Sequence, residues 1–171
     1  MWRGPGEPGP LMSGGEVLDD AYLERFIRKH GLDAEVLRLG VKVRTVRQAA
    51  RALSVPEDRI IKSILLMANE LTPVLAIVGG DKRVDLRAVA EFLGVSRVRM
   101  AKPDEVLRVC GYVVGGLPPV GHKKPIATII DEGVMEKPYV FGGGGTDECL
   151  LRIRPEDIKR LQNARVARIA K

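Results

Sequence analysis

The chain has 171 residues, of which 45% are apolar and 29% charged, and its formal net charge is +6. This length suits one domain with a single sizeable core, and no run approaches the roughly 18 apolar residues that span a bilayer. The N-terminus has one arginine and no apolar h-region, so we expect no secretory signal and a cytoplasmic protein.

The positive net charge favours a polyanionic partner such as RNA. The seven aromatic residues are scattered, which argues against a base-stacking sheet. Cys110 and Cys149 lack a CxxC spacing and have only His30 and His122 as further soft ligands, so the sequence offers no zinc site. We therefore expect two buried, reduced thiols, no metal and no cofactor.

The chain begins with a Gly/Pro-rich segment, residues 1–15, that we predict to be disordered, and residues 16–171 form the single domain. Apolar residues on one helical face predict a helix over Val17–His30. A second short helix is predicted over Ala34–Leu39, which Gly40 stops. Alternation of apolar and basic residues over Val41–Arg44 then predicts a half-buried strand.

Capping patterns predict the next elements. Thr45 with Gln48 three residues on forms a capping box for a helix through Leu53. Ser54 and Glu57 repeat the pattern and predict a short helical turn.

Two continuous apolar runs, Ile60–Ala68 and Val74–Val78, predict a pair of buried strands. Asp85 caps a predicted helix that ends at Gly94, and Arg97–Ala101 is predicted as a short strand. The remaining predicted elements are a helix over Pro103–Val109, strands over Tyr112–Val114, Ile126–Ile130, Tyr139–Phe141 and Glu148–Ile153, and a closing helix from Pro155. Arg165, Arg168 and Lys171 are predicted on a solvated face of this helix, with contact to an acceptor stem as the alternative. The interleaving predicts a mixed α/β (α+β) fold, with a mixed, largely antiparallel sheet or a partly closed barrel flanked by helices.

One cation interrupts the first apolar run. On a strand, Lys62 shares a face with Ile60 and Ile64, and an ammonium group cannot be buried there without a counter-charge or a lowered pKa. Lys62 therefore lies at a strand end, pairs with an acid, or lines a cavity that holds an anionic ligand. A snorkelling lysine on an edge strand is the alternative.

Two glycine loops could place backbone N–H groups against a ligand. Gly115–Gly121 combines paired glycines with stiffening prolines, and Gly142–Gly145 lies between two apolar strands. Such loops can donate to a phosphate or an oxyanion, although plain turns have the same composition. No P-loop, GxGxxG, GxSxG or Cys–His pair is present, which excludes nucleotide-hydrolase, dinucleotide and covalent-nucleophile classes.

Together these residues resemble the YbaK/ProX family of aminoacyl-tRNA deacylases, which is related to the editing domain inserted into bacterial prolyl-tRNA synthetases. The resemblance lies in Gly111–Lys124 (GYVVGGLPPVGHKK) and Thr128–Asp131 (TIID), with Thr45–Ala50 (TVRQAA) and Arg59–Ser63 (RIIKS) upstream. It covers roughly Glu35–Leu161 and implies the YbaK/prolyl-tRNA synthetase-associated domain fold.

The resemblance implies that Lys62 is the critical side chain, which holds the phosphate of the terminal adenosine or the substrate carbonyl. The substrate-binding residues that it implies are Thr45, Gly115, Gly116, Pro119, Gly121, Gly143 and Gly144. The implied partners are the 3′ acceptor end of an aminoacyl-tRNA and prolyl-tRNA synthetase. Some relatives carry a serine in the second glycine loop and a histidine after it. This chain has only glycine in that loop, and because it also lacks the histidine, alanine specificity of the ProX kind is not supported.

The predicted function is hydrolysis of a mischarged aminoacyl-tRNA in trans, with a mischarged tRNA(Pro) as the expected substrate. A non-catalytic tRNA-binding module of the same fold is the alternative. A small-molecule hydrolase or nucleotide-binding protein is a third possibility, in which the basic surface would be incidental.

Overall fold

The two apolar runs form the central hairpin of the fold, β2 (Ile61–Ala68) and β3 (Thr72–Gly79), in an antiparallel register that pairs Lys62 with Val78. The computed structural model describes residues 16–171, so the predicted disordered segment 1–15 lies outside the described residues. The hairpin belongs to a five-stranded sheet of order β4-β2-β3-β5-β8, which adds β4 (Val98–Met100), β5 (Ala127–Asp131) and β8 (Arg165–Ala167). The β3–β5 and β5–β8 pairs are parallel.

A second, antiparallel sheet has the order β1-β7-β6, from β1 (Glu35–Arg38), β7 (Cys149–Ile153) and β6 (Val140–Gly143). A parallel bridge between Ile60 and Phe141 joins it to the start of β2. The predicted mixed α+β fold with largely antiparallel pairing is confirmed, as two sheets that do not close into a barrel.

Five α-helices flank the sheets within the described residues: α1 (Asp20–Lys29), α2 (Val46–Leu53), α3 (Leu86–Leu93), α4 (Pro103–Cys110) and α5 (Pro155–Leu161). Two 3-10 turns, Glu57–Arg59 and Val134–Glu136, complete the fold. The capping predictions for α2 and α3 are confirmed, because Thr45 accepts from the Gln48 amide and Asp85 accepts from the amides of Arg87 and Ala88.

Both faces of the five-stranded sheet are buried, which explains the continuous apolar runs. Leu65, Leu75 and Ile77 pack on one face against residues of α1, α4 and the smaller sheet. On the other face, Leu66 and Val74 pack with Val89 of α3. Cys110 and Cys149 are both buried, as predicted, and burial raises the pKa of the Cys110 thiol to about 12.

Four local predictions are wrong. The helix predicted over Ala34–Leu39 is strand β1, because Val36 is buried in the core and Glu35–Arg38 pairs with β7. Val41–Arg44 is not a strand, since Val43 is buried and Val41 is exposed in an irregular segment. Tyr112–Val114 leads into a turn rather than forming a strand.

The fourth wrong prediction concerns the C-terminus. The closing helix ends at Leu161, and Arg165 lies on strand β8, whose pairing with β5 overrides the helical pattern. No helix in residues 16–171 is long and apolar enough to cross a membrane.

Candidate functional site

A cleft of about 290 Å³ opens beside the first residues of β2, where the two sheets meet. Its walls come from the N-terminal end of α2, the start of β2 and the two glycine loops. The residues that line it are Val43, Arg44, Thr45, Val46, Ala49, Ile60, Ile61, Lys62, Ser63, Ile64, Gly115, Leu117, Gly142, Gly143 and Leu150. Four of the eight predicted site residues, Lys62, Thr45, Gly115 and Gly143, therefore lie together in this cleft.

Lys62 is partly buried near the start of β2, and its amine donates a hydrogen bond to the Lys82 carbonyl. Burial lowers the pKa of Lys62, the Arg83 cation lowers it further, and Asp81 acts in the opposite direction. Within residues 16–171, no carboxylate forms an ion pair with this amine. Three arrangements were predicted for Lys62: a place at a strand end, an ion pair with an acid, or a place in the lining of a cavity. The structure shows the first and the third, and no ion pair among the described residues.

Thr45 lines the cleft and also caps the N-terminus of α2. Its Oγ1 accepts a 3.1 Å hydrogen bond from the Gln48 amide and so caps α2. The Gln48 side chain reaches back to the amide of Arg44, whose own side chain also lines the cleft. The hydroxyl hydrogen of Thr45 remains available to donate to a ligand.

The first glycine loop turns at Val113–Gly116, where the Gly116 amide donates to the Val113 carbonyl at 3.1 Å. Gly115 has a φ of +100°, which favours glycine, and it lines the cleft. Gly116 lies behind it, since a Cβ there would come within 2.7 Å of the Gly145 carbonyl oxygen. The amide of Gly145 donates to the carbonyl of Gly116 at 2.9 Å, so the two loops pack backbone against backbone.

Two further predicted residues support the first loop from outside the cleft. Pro119 is buried behind Gly142, with its Cδ 3.3 Å from the position of a Cβ there. Gly121 has a φ of +79°, and its carbonyl accepts a 2.7 Å hydrogen bond from the hydroxyl of buried Tyr112. Burial raises the pKa of that hydroxyl.

The second glycine loop, like the first, has some residues that line the cleft and others that do not. Gly142 and Gly143 line the cleft, and a Cβ on Gly143 would lie 2.2 Å from the Leu117 carbonyl oxygen. Gly144 is not among the lining residues, and a Cβ there would meet the backbone of Cys149 at 2.5 Å. Gly116, Pro119, Gly121 and Gly144 therefore lie outside the lining; Gly116, Pro119 and Gly144 pack behind the wall, and Gly121 contacts α1.

The sequence-based prediction missed Ser63, Arg44 and the apolar lining residues. Ser63 lines the cleft, and its Oγ is buried and makes no hydrogen bond to any described residue. Strand alternation placed Ser63 on the face opposite Lys62, yet Ile61 to Ile64 all line the cleft. Its position directly after Lys62 was the available signal.

His122 holds the first loop in place. Its Nε2 donates to the Pro118 carbonyl at 2.7 Å, and its Nδ1 lies 3.4 Å from Gln162 Nε2, which also donates to Thr128. This arrangement requires the neutral imidazole with the proton on Nε2. Burial accordingly lowers the pKa of His122 to about 4.

We expect the free energy of unfolding to fall as the pH decreases from about 6.5 to about 4, because the unfolded chain takes up the His122 proton first. The loss amounts to about 3–4 kcal/mol at most, since one pKa unit corresponds to about 1.4 kcal/mol. Urea unfolding at several pH values measures it. His122→Gln should remove most of this dependence of the free energy of unfolding on pH. His30→Gln, at an exposed histidine, should retain it. If the two variants show the same pH dependence, the decrease does not come from His122.

Comparison with known proteins agrees with this architecture. Residues 41–161 match the family model of the aminoacyl-tRNA editing domain. A candidate Cys-tRNA(Pro)/Cys-tRNA(Cys) deacylase, EbsC of Enterococcus faecalis, is 27% identical over 125 residues, which are 73% of this chain and 76% of that protein. A proline–tRNA ligase of Thermosipho africanus is 34% identical over 112 residues, 65% of this chain but only 20% of the ligase.

Among solved structures, a candidate trans-editing enzyme for prolyl-tRNA synthetase superposes with a TM-score of 0.82 at 29% identity. The match covers 94% of this chain and 99% of that one. The shared fold and the glycine-walled cleft place the protein in the class of editing domains. The chain belongs to the aminoacyl-tRNA editing domain family, which confirms the resemblance to the YbaK/ProX deacylases and to the editing region of prolyl-tRNA synthetase.

Proposed function

We propose that this protein hydrolyses the ester bond of a mischarged aminoacyl-tRNA in trans, with a mischarged tRNA(Pro) as its substrate. The observation that carries the proposal is the Lys62 ammonium group, which forms no ion pair with a carboxylate among the described residues and lies in a cleft walled by glycine backbone. A cation in such a place suits the phosphate or the carbonyl oxygen of a charged 3′ end.

The reaction adds a water oxygen to the ester carbonyl carbon and breaks the bond to the ribose oxygen. The products are the free amino acid and a tRNA with its terminal hydroxyl restored. Negative charge develops on the carbonyl oxygen in the transition state, and the Lys62 amine can stabilise it. The backbone of Gly115 and Gly143 leaves room for the substrate to approach closely.

The lining residues include no carboxylate and no imidazole, so the described cleft supplies no general base of the usual kind. We infer that a ribose hydroxyl of the substrate organises the attacking water, since an aminoacyl ester is already activated and needs only a positioned nucleophile.

We expect a substrate whose terminal adenosine lacks the hydroxyl beside the ester to be hydrolysed about 100-fold more slowly or worse. Single-turnover release of labelled amino acid measures this rate, with inhibition by the deoxy substrate as a control for binding. Equal rates on both substrates would rule out participation of the hydroxyl.

Selection among amino acids would fall to the apolar part of the lining. Ile61, Ile64 and Leu150 line the cleft near Lys62 and favour a small, neutral side chain. One methylene contributes only about 1–3 kcal/mol of discrimination, which is why a separate editing site is useful to a synthetase.

The surroundings of the cleft suit an RNA. Exposed cations lie on the segment that enters α2, on α2 itself and on the loop after β3; they are Lys42, Arg44, Arg47, Arg51, Lys82 and Arg83. Arg47 pairs with Glu57 at 3.7 Å, a weak exposed contact. The net charge of +6 supports the same partner.

A panel of Cys-, Ala- and Ser-charged tRNA(Pro), with Pro-tRNA(Pro) as the cognate control, tests the proposal. We expect at least one mischarged species to be deacylated far above its spontaneous rate while the cognate species is spared. Salt-sensitive binding without hydrolysis would instead support the non-catalytic binding module. Absence of both binding and hydrolysis would favour a small-molecule enzyme.

A further inference from the structure

The loop after β3 holds the acceptor for the Lys62 amine. This loop starts at Gly80 and includes Lys82, whose carbonyl oxygen accepts the hydrogen bond from Lys62 Nζ. Its first half is tied to the entry of β2, because the Gly80 amide donates to the Ile60 carbonyl at 2.6 Å. The position of the amine therefore depends on what fixes the second half of the loop.

The second half is fixed by the C-terminal segment Ile169–Lys171. The Arg83 amide donates to the Lys171 carbonyl at 2.9 Å, and the Lys171 amide donates back to the Arg83 carbonyl at 2.8 Å. The Asp85 amide donates to the Ile169 carbonyl at 2.7 Å. Three hydrogen bonds thus hold the residues that directly follow Lys82.

The C-terminal segment is itself anchored by Asp131, at the end of β5. Asp131 is 7% exposed, and its Oδ1 accepts from the amides of Ile169 at 2.9 Å and Ala170 at 3.0 Å. Its Oδ2 accepts from the Gly133 amide at 3.1 Å. A buried carboxylate satisfied by three backbone donors is a rigid anchor, since any displacement would leave the charge unpaired.

We propose that Asp131 and the segment Ile169–Lys171 act as positioning residues for Lys62, by holding the Lys82 carbonyl where it fixes the amine at the wall of the cleft. The inference rests on the proposed function, in which Lys62 contacts the substrate.

A backbone carbonyl suits this task better than a carboxylate would. A lysine side chain has four rotatable bonds, and a fixed acceptor restricts it without neutralising its charge. An ammonium group has three donors, so one bond to Lys82 leaves two for a substrate oxygen. Asp81 and Arg83 are the charged neighbours that act on the amine from the same loop.

Lys171→Pro tests the inference with little risk to the fold. Lys171 is exposed, and proline removes the amide that donates to Arg83. The matched control is Lys171→Ala, which keeps the amide and removes the same side chain. We expect Lys171→Pro to lower kcat about three- to tenfold relative to the control at unchanged KM, because a misplaced group weakens only the transition state.

A second measurement follows the Lys62 side chain directly, by NMR of the protein labelled with ¹³C-lysine, with Lys62→Arg to assign the signal. The Lys62 signal should move toward that of solvated lysines in Lys171→Pro and in Asp131→Asn, and stay in place in Lys171→Ala. An unmoved signal, or a rise in KM at constant kcat, would overturn the inference. If the signal moves while Lys62→Ala still hydrolyses normally, the positioning holds and the proposed function fails.

Discussion

Replacing Lys62 by alanine is expected to lower the single-turnover rate of deacylation by about 100- to 1000-fold, the usual loss when one donor to a developing oxyanion is removed. The folded state should be little affected, because Lys62 is only partly buried and makes one hydrogen bond, to the Lys82 carbonyl. Removing a cation that burial already disfavours relieves a desolvation cost as well. Amino-acid release and thermal unfolding measure the two effects separately.

Lys62→Arg provides the matched variant, since it keeps the charge but changes the geometry of the donors. We expect it to restore only part of the rate. Lys82→Ala is a second control: loss of its exposed cation can weaken RNA binding, but the carbonyl that contacts Lys62 is retained, so the single-turnover rate at saturating protein should be unchanged. Full activity in Lys62→Ala would remove the basis of the proposed mechanism.

Gly143→Ala is expected to destabilise the protein by about 3 kcal/mol and to abolish hydrolysis, because its Cβ would lie 2.2 Å from the Leu117 carbonyl oxygen. Both partners are backbone, so no side-chain rotation relieves the contact. The two glycine loops would have to separate, which opens the wall beside Gly115. Urea unfolding gives the free energy, and deacylation at a temperature where the variant is folded gives the activity.

Gly40→Ala isolates the backbone contribution of a glycine replacement. Gly40 has a φ of +71° with no atom within 4 Å of an added Cβ, so alanine there meets only conformational strain of about 1 kcal/mol. The Gly40→Ala variant should hydrolyse the mischarged aminoacyl-tRNA at the normal rate. Equal stability losses at the two positions would show that contact between the loops contributes little.

The central part of the fold could be predicted from the sequence because its signals are local. The runs that became β2 and β3 are continuously apolar, and α2 and α3 carry the N-cap residues Thr45 and Asp85. These patterns depend on neighbours within four residues. Strands β1 and β8 were missed because their conformation depends on β7 and β5, which lie far away in the chain.

The site could be predicted only in part for the same reason. Lys62 was recognisable as a lone cation in an apolar strand, and the glycine loops by composition. Whether a given glycine faces the cleft depends on loop-to-loop packing, such as that of Gly116 against Gly145, which composition does not encode. Arg44 and Ser63 line the cleft through the placement of α2 and β2, again a long-range property.

The interlocked glycine loops also limit how this protein could be redesigned. Because main-chain atoms already fill the space where side chains would grow at Gly116, Gly143 and Gly144, that wall cannot be resculpted by point mutation. Enlarging the recess for a bulkier amino acid would have to proceed by trimming the aliphatic side chains that line it, Ile61, Ile64 or Leu150. Changes in amino-acid selectivity should therefore come from substitutions at those aliphatic positions.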